Sequence, residues 1–209
     1  FGLDLKSNHL FLFGEERYIG SEATEEPGVE FAMANRLIKN LNVLIRHSDK
    51  PILIHMKTCG GSWEEGMAIY DAIKACPNKV TILNYTHARS MSSIILQAAD
   101  KRVMMPNSNF MIHDGTMSIS GTIKQYLTEA EQLIKANDIM YNIYIDKMKE
   151  KGKLSKRSRK FIWNWMRDLM DKKEEVYFDS KQAVAYGFAD EIFGKDGKYD
   201  WTSLTEYED

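Results

Sequence analysis

An α/β fold built on parallel strands is predicted by three features of this 209-residue chain. Short apolar runs of strand length alternate with stretches whose apolar residues recur at helical spacing. A glycine pair and capping residues stand at the joints between them. Parallel strands need crossover helices, and this alternation supplies them, each crossover being right-handed. The third feature is Thr122–Lys149, a helical stretch free of both proline and glycine.

Taken in order, His9–Gly14 reads as a short buried strand closed by glycine, and Ser21–Pro27 as an acidic loop. Val29–His47 places Phe31, Ala34, Leu37, Ile38, Leu41 and Leu44 on one helical face. Pro51–Met56 is a second buried strand, followed by the loop Thr58-Cys59-Gly60-Gly61-Ser62. A helix restarts over Ser62–Ala75, with Ser62 as its cap and Glu64 and Glu65 in the first turn, where negative charge is favourable. A strand over Lys79–Tyr85, a helix over Ser90–Ala99 and strands around Val103 and Phe110 continue the alternation.

Thr122–Lys149 spans roughly 40 Å at about 1.5 Å per residue, long for a compact domain of this size. It is either a packed core helix or a projecting helix covered by another subunit. Helices over Ser155–Asp171 and Asp179–Tyr186 precede a short strand at Ile192-Phe193, and the charged tail from Gly194 is expected to be mobile. No repeat or linker divides the chain, so residues 1–209 are read as one domain.

A net charge of −2 calls for neither a nucleic-acid nor a membrane partner. The basic run Lys151–Lys160 is local and reads as a solvated turn. No segment is apolar enough to span a bilayer, two cysteines make no disulfide framework, and Phe1–Lys6 lacks a leader pattern, so cytoplasmic residence is expected.

The chemistry-bearing residues lie at the joints. Ser90 stands where a β-branched strand turns into an apolar helix, and His113 ends the strand Asn109-Phe110-Met111-Ile112. A serine hydroxyl needs a base to take its proton, and the intervening helix and returning strand bring His113 alongside. The Met91 N–H opens the helix after Ser90; with the Gly61 N–H it makes a candidate oxyanion hole. Taken singly, Ser90 reads more readily as a helix cap and His113 as a core or surface histidine. Together they read as parts of a serine hydrolase.

These residues and their surroundings resemble the Clp-type serine peptidase family, the proteolytic subunits of ATP-dependent Clp proteases. The matching stretches are Cys59-Gly60-Gly61-Ser62, Gly66–Asp71, Ser90-Met91, Leu96–Ala99, Pro106-Asn107-Ser108, Met111-Ile112-His113 and Ala183–Ile192. The resemblance runs from about His9 to about Phe193. It implies a Clp/crotonase-type superhelix of stacked βαβ turns with a long handle helix at about 122–149. It also implies a serine endopeptidase, free of metal and cofactor, acting on unfolded polypeptide within a homo-oligomer of two stacked heptameric rings. An ATP-dependent unfoldase would feed the rings; this chain has no phosphate loop ending in Lys-Ser/Thr.

On the family pattern Ser90 is the nucleophile, His113 the base, and Gly61 and Met91 the oxyanion donors. Thr116, Met117, Ser118, Ile119, Ser120 and Gly121 fall where extended substrate is added as a strand. Cys59 replaces a proline usual in the family, and His87 is an unusual neighbour of the nucleophile. The family's acid is an aspartate, and that position here holds Glu175. Asp171 serves instead if the segment slips by one helical turn, or no third residue acts. A catalytically weakened structural subunit of mixed rings is the alternative reading, and an acyl-CoA enzyme of the crotonase type a third.

Overall fold

The computed structural model describes residues 2–14 and 28–207. The acidic loop read at Ser21–Pro27 lies outside the described residues. The strands are β1 (Leu3–Asp4), β2 (His9–Phe13), β3 (Ile52–Thr58), β4 (Val80–Arg89), β5 (Lys101–Met104), β6 (Asn109–Ile112), β7 (Val176–Asp179) and β8 (Glu191–Ile192). The helices are α1 (Phe31–His47), α2 (Trp63–Lys74), α3 (Met91–Leu96), α4 (Ile123–Glu150), α5 (Arg159–Lys172) and α6 (Ser180–Tyr186). The predicted alternation is therefore the architecture of the chain.

One sheet runs β1-β2-β3-β4-β5-β8, and β2 to β8 along that path are parallel. The central strand β3 is buried on both faces, so it reads as an almost continuous apolar run, whereas β2 alternates buried and half-buried residues. The strand β4 is twice occupied. Its first half lies between β3 and β5, and its second half pairs His87, Ala88 and Arg89 with Asn109, Phe110 and Met111 of β6. Then β7 runs antiparallel to β6, pairing Ile112 with Val176 and Met111 with Tyr177. Neither β7 nor the antiparallel β1 is among the strands expected from the sequence.

Helix starts follow local chemistry. The Glu30 carboxylate accepts from the Ala32 and Met33 N–H groups at 2.8 and 2.9 Å, satisfying donors that α1 leaves orphaned. Ser62 caps α2 as expected, accepting from the Glu65 N–H at 3.4 Å. Asp179 caps α6 within a capping box, and Gly187 ends that helix in the left-handed conformation at φ 87°.

The buried residues of α4 all lie in its second half: Met140, Tyr141, Tyr144, Ile145 and Met148. Tyr144 packs edge-on to Phe110 and Phe188, which are themselves stacked 4.5 Å apart. The first half leaves Ile123 80% and Ile134 62% exposed, with Tyr126 and Leu127 also open. Within the protomer this half projects; it is not a core helix.

The tail beyond Gly194, expected to be mobile, instead returns to the sheet. Leu204 is fully buried against Leu53, Leu83, Val103 and Phe193, and the Thr81 hydroxyl donates to the Leu204 carbonyl at 2.5 Å. Its charge misleads, because Leu204 and the Trp201 ring supply contacts that charged neighbours mask, and the Tyr207 hydroxyl adds a hydrogen bond with Thr81 at 2.7 Å. No helix among the described residues is long and apolar enough to cross a membrane.

Candidate active site

Ser90 lies at the abrupt change from β4 to α3, with φ 52° and ψ −132°. A non-glycine residue at positive φ costs about 1–3 kcal/mol and persists only when its surroundings enforce it. Here they do. The Ser92 hydroxyl lies 2.8 Å from both the Arg89 and Thr58 carbonyls and accepts from the Arg89 N–H at 3.0 Å. It thus ties the turn to the end of β3. The Ser93 hydroxyl donates to the Ser90 carbonyl at 2.6 Å and accepts from Tyr144 of α4 at 2.6 Å. Burial pushes the Tyr144 phenol up, which keeps that donor protonated.

The Ser90 side chain makes no capping bond to α3. Its Oγ lies 2.9 Å from His113 Nε2 instead. This is the hydrogen bond that lets a histidine receive a serine proton. The strand pairing of β4 with β6 creates it, by carrying Arg89 beside Met111 one step before Ser90 and two before His113.

The glycine loop closes over the same turn. Gly60 has φ 97°, and a Cβ built there would come 2.7 Å from Ser90 Cβ and 2.9 Å from the Met91 nitrogen. Val29 bridges to Gly61 in parallel fashion: its N–H donates to the Gly60 carbonyl at 2.5 Å and its carbonyl accepts from the Ser62 N–H at 2.9 Å. Those bonds flank Gly61, so the Gly61 N–H itself points away from Val29. The Met91 N–H is one of the amides at the start of α3 that have no partner within the helix. Both candidate oxyanion donors therefore border the Ser90 turn.

The acid segment is less closed. Continuing the β6–β7 register by one step sets Glu175 opposite His113. No hydrogen bond joins their side chains; the Glu175 carboxylate accepts from the Tyr177 hydroxyl at 2.9 Å. That hydroxyl is a contact that sequence reasoning missed, and the two-residue spacing on a strand was the available signal. Asp171 lies at the exposed end of α5 and contributes to raising the Tyr141 phenol, after burial and Asp114, whose carboxylate accepts from Tyr141 at 3.1 Å.

Thr116–Gly121 carries no regular secondary structure and is mostly exposed. Its start is tied to α4 by the Gly115 N–H, which donates to Asn137 Oδ1 at 2.9 Å. His87 is paired in the β4–β6 ladder, and Cys59 of the glycine loop forms no disulfide. Among the described residues, no group of three or more His, Cys, Asp or Glu could hold a metal ion.

The family model for Clp protease matches residues 23–196. Among curated proteins, the chain is 31% identical over 169 residues to the ATP-dependent Clp protease proteolytic subunit of Streptococcus mutans, covering 78% of this chain and 80% of that protein. It is 28% identical over 170 residues to the protein of the same name from Deinococcus radiodurans, covering 78% of this chain and 76% of that protein. Among solved structures, a mutant of ClpP1 from Listeria monocytogenes shares the fold with a TM-score of 0.70 at 20% identity, covering 96% of each chain.

Proposed function

Since the chain belongs to the Clp protease family, we propose that it is a serine endopeptidase that cleaves unfolded polypeptide inside an oligomeric chamber in the cytoplasm. The observation that carries this reading is the 2.9 Å contact between His113 Nε2 and Ser90 Oγ at a strained strand-to-helix turn.

Ser90 Oγ attacks the scissile carbonyl carbon as His113 Nε2 takes the hydroxyl proton. The carbonyl oxygen becomes an anion held by the N–H groups of Gly61 and Met91. As the C–N bond breaks, His113 returns its proton to the leaving amine. Water then attacks the acyl-serine, giving a proton to His113 and restoring Ser90 when the intermediate collapses. Glu175 is the third member, stabilising the imidazolium from its position across the β6–β7 pair.

The segment Thr116–Gly121 receives substrate as an added strand, since its exposed backbone runs directly from His113. The exposed first half of α4 is the surface on which copies of the chain assemble, as two stacked heptameric rings. An ATP-dependent unfoldase delivers the substrate, a partnership supported by the names of the relatives.

A fluorophosphonate probe tests the nucleophile. The wild-type protein is labelled and Ser90→Ala is not. The second reading, a structural subunit of mixed rings, draws on the absence of a hydrogen bond between the side chains of Glu175 and His113, Glu175 being bonded to Tyr177. Absence of wild-type labelling across the pH range selects it.

A further inference from the structure

Glutamate is one methylene longer than the aspartate expected at its position, so its carboxylate has a further torsion to fix. Something must remove that freedom if Glu175 is to hold His113 in one orientation.

The strand β7 supplies a means. Val176 and Phe178 point into the core, at 6% and 5% exposure, so Glu175 and Tyr177 share the opposite face. Across the antiparallel pair, Tyr177 stands beside Met111 and Val176 beside Ile112, and continuing one step beyond that last pair sets Glu175 beside His113. The Tyr177 hydroxyl donates to Glu175 Oε2 at 2.9 Å. A carboxylate held by one oxygen keeps the other, Oε1, for a second donor. His113 spends Nε2 on Ser90, which leaves Nδ1–H as the ring's donor when Nε2 accepts a proton.

We infer that Tyr177 is a positioning residue: its hydroxyl tethers Glu175 Oε2 so that Oε1 is presented to His113 Nδ1–H. Tyr177 does not touch the reacting atoms. It acts through Glu175, and the inference rests on the serine-peptidase reading of Ser90 and His113. The tether offsets the added methylene, because a charge-assisted hydrogen bond restrains a side chain more strongly than a neutral one. Tyr177 is about half exposed, so its hydroxyl contributes little to the core.

The experiment measures fluorophosphonate labelling rates and peptide hydrolysis for wild type, Tyr177→Phe, Glu175→Gln and the double variant. Tyr177→Phe is expected to lower both the labelling rate and kcat by about tenfold, with KM and melting temperature unchanged. Glu175→Gln lowers them further, and adding Tyr177→Phe to it has no additional effect, because the tether then has no carboxylate to hold. Equal losses from Tyr177→Phe in both backgrounds would falsify the tether, as would wild-type rates in the single variant. Faster labelling of Tyr177→Phe also overturns it, since Tyr177 would then be withholding Glu175. A wild-type protein that does not label removes the peptidase reading itself, an outcome distinct from a labelled wild type with an indifferent Tyr177.

Discussion

Gly66 of α2 lies directly against the Met91 side chain: a Cβ added at Gly66 would stand 2.0 Å from Met91 Cγ and 2.6 Å from its Sδ. Glycine inside a helix costs roughly 1 kcal/mol relative to alanine, and here the cost is offset by seating the residue that follows Ser90. Gly66→Ala is therefore expected to destabilise the protein by about 1–3 kcal/mol through overpacking, against its helix propensity. It should also slow fluorophosphonate labelling by displacing the Met91 N–H. Urea melts and labelling rates measured together check both; a stabilised, fully reactive variant would refute the packing argument.

Arg102 and Asp190 form a buried ionic joint. The guanidinium donates to Asp190 at 2.7 and 3.1 Å, to Gln97 Oε1 at 2.8 Å and to the Gly187 carbonyl at 2.9 Å. Asp190→Asn leaves a cation of 1% exposure without its counter-ion and is expected to cost about 3–5 kcal/mol. Burial alone would raise the Asp190 carboxyl, but its bonds to Arg102 and Lys151 outweigh that and hold it below its ordinary 3.8. A depressed folded value means stability present above 3.8 and lost as pH falls through the lower folded value. Acid denaturation curves of wild type and Asp190→Asn should differ in that range.

His55 carries a second pH dependence, of different origin. Its ring is 5% exposed, bonded to Tyr85 at 2.9 Å and His9 at 3.0 Å, and stacked on Phe11 with Trp201 nearby. Burial, then the neighbouring His9, lower its pKa from 6.5 to about 4. Between those values the unfolded chain binds more protons than the folded one, so stability falls as pH drops from 6.5 toward 4. His55→Phe should flatten this part of the stability profile. An unchanged slope would place the dependence elsewhere.

The open half of α4 predicts a concentration-dependent assembly. Leu127 is 58% and Ile134 62% exposed in the protomer, more apolar surface than an isolated helix face keeps without a partner. Leu127→Asp with Ile134→Asp should shift sedimentation toward smaller species while far-UV circular dichroism is retained. Sedimentation identical to wild type would count against α4 as the assembly surface.

Leu204 anchors the returning tail. Leu204→Ala removes a fully buried side chain and is expected to cost about 2–5 kcal/mol. A change confined to tenths of a kcal/mol would mean that the tail contributes nothing to the sheet it covers.

Much of this was legible because it is local. Ser62 and Thr122 cap the helices they precede, and Ser90 stands at a joint that periodicity alone locates. What escaped depends on partners distant in the chain. The strand β4 was expected to end at Tyr85, yet Thr86–Arg89 stays extended because β6 arrives to pair with it. The four residues Val176–Asp179 alternate clearly but sit among charges, and only β6 makes them a strand. Leu204 finds its place through contact with Leu53 and Leu83, which no local pattern announces. Glu175 is the mixed case: the family resemblance picks it out in the sequence, while its hydrogen bond with Tyr177 is seen only in the structure.

The divided use of β4 gives the chemistry two foundations. Ser90 and the glycine loop rest on the ends of the main sheet, whereas His113 and Glu175 directly adjoin β6 and β7, attached to it through three residue pairs. The chain leaves His113 through the exposed segment that leads straight into the projecting end of α4. His113 is therefore held on one side by β6 and on the other by a segment open to solvent.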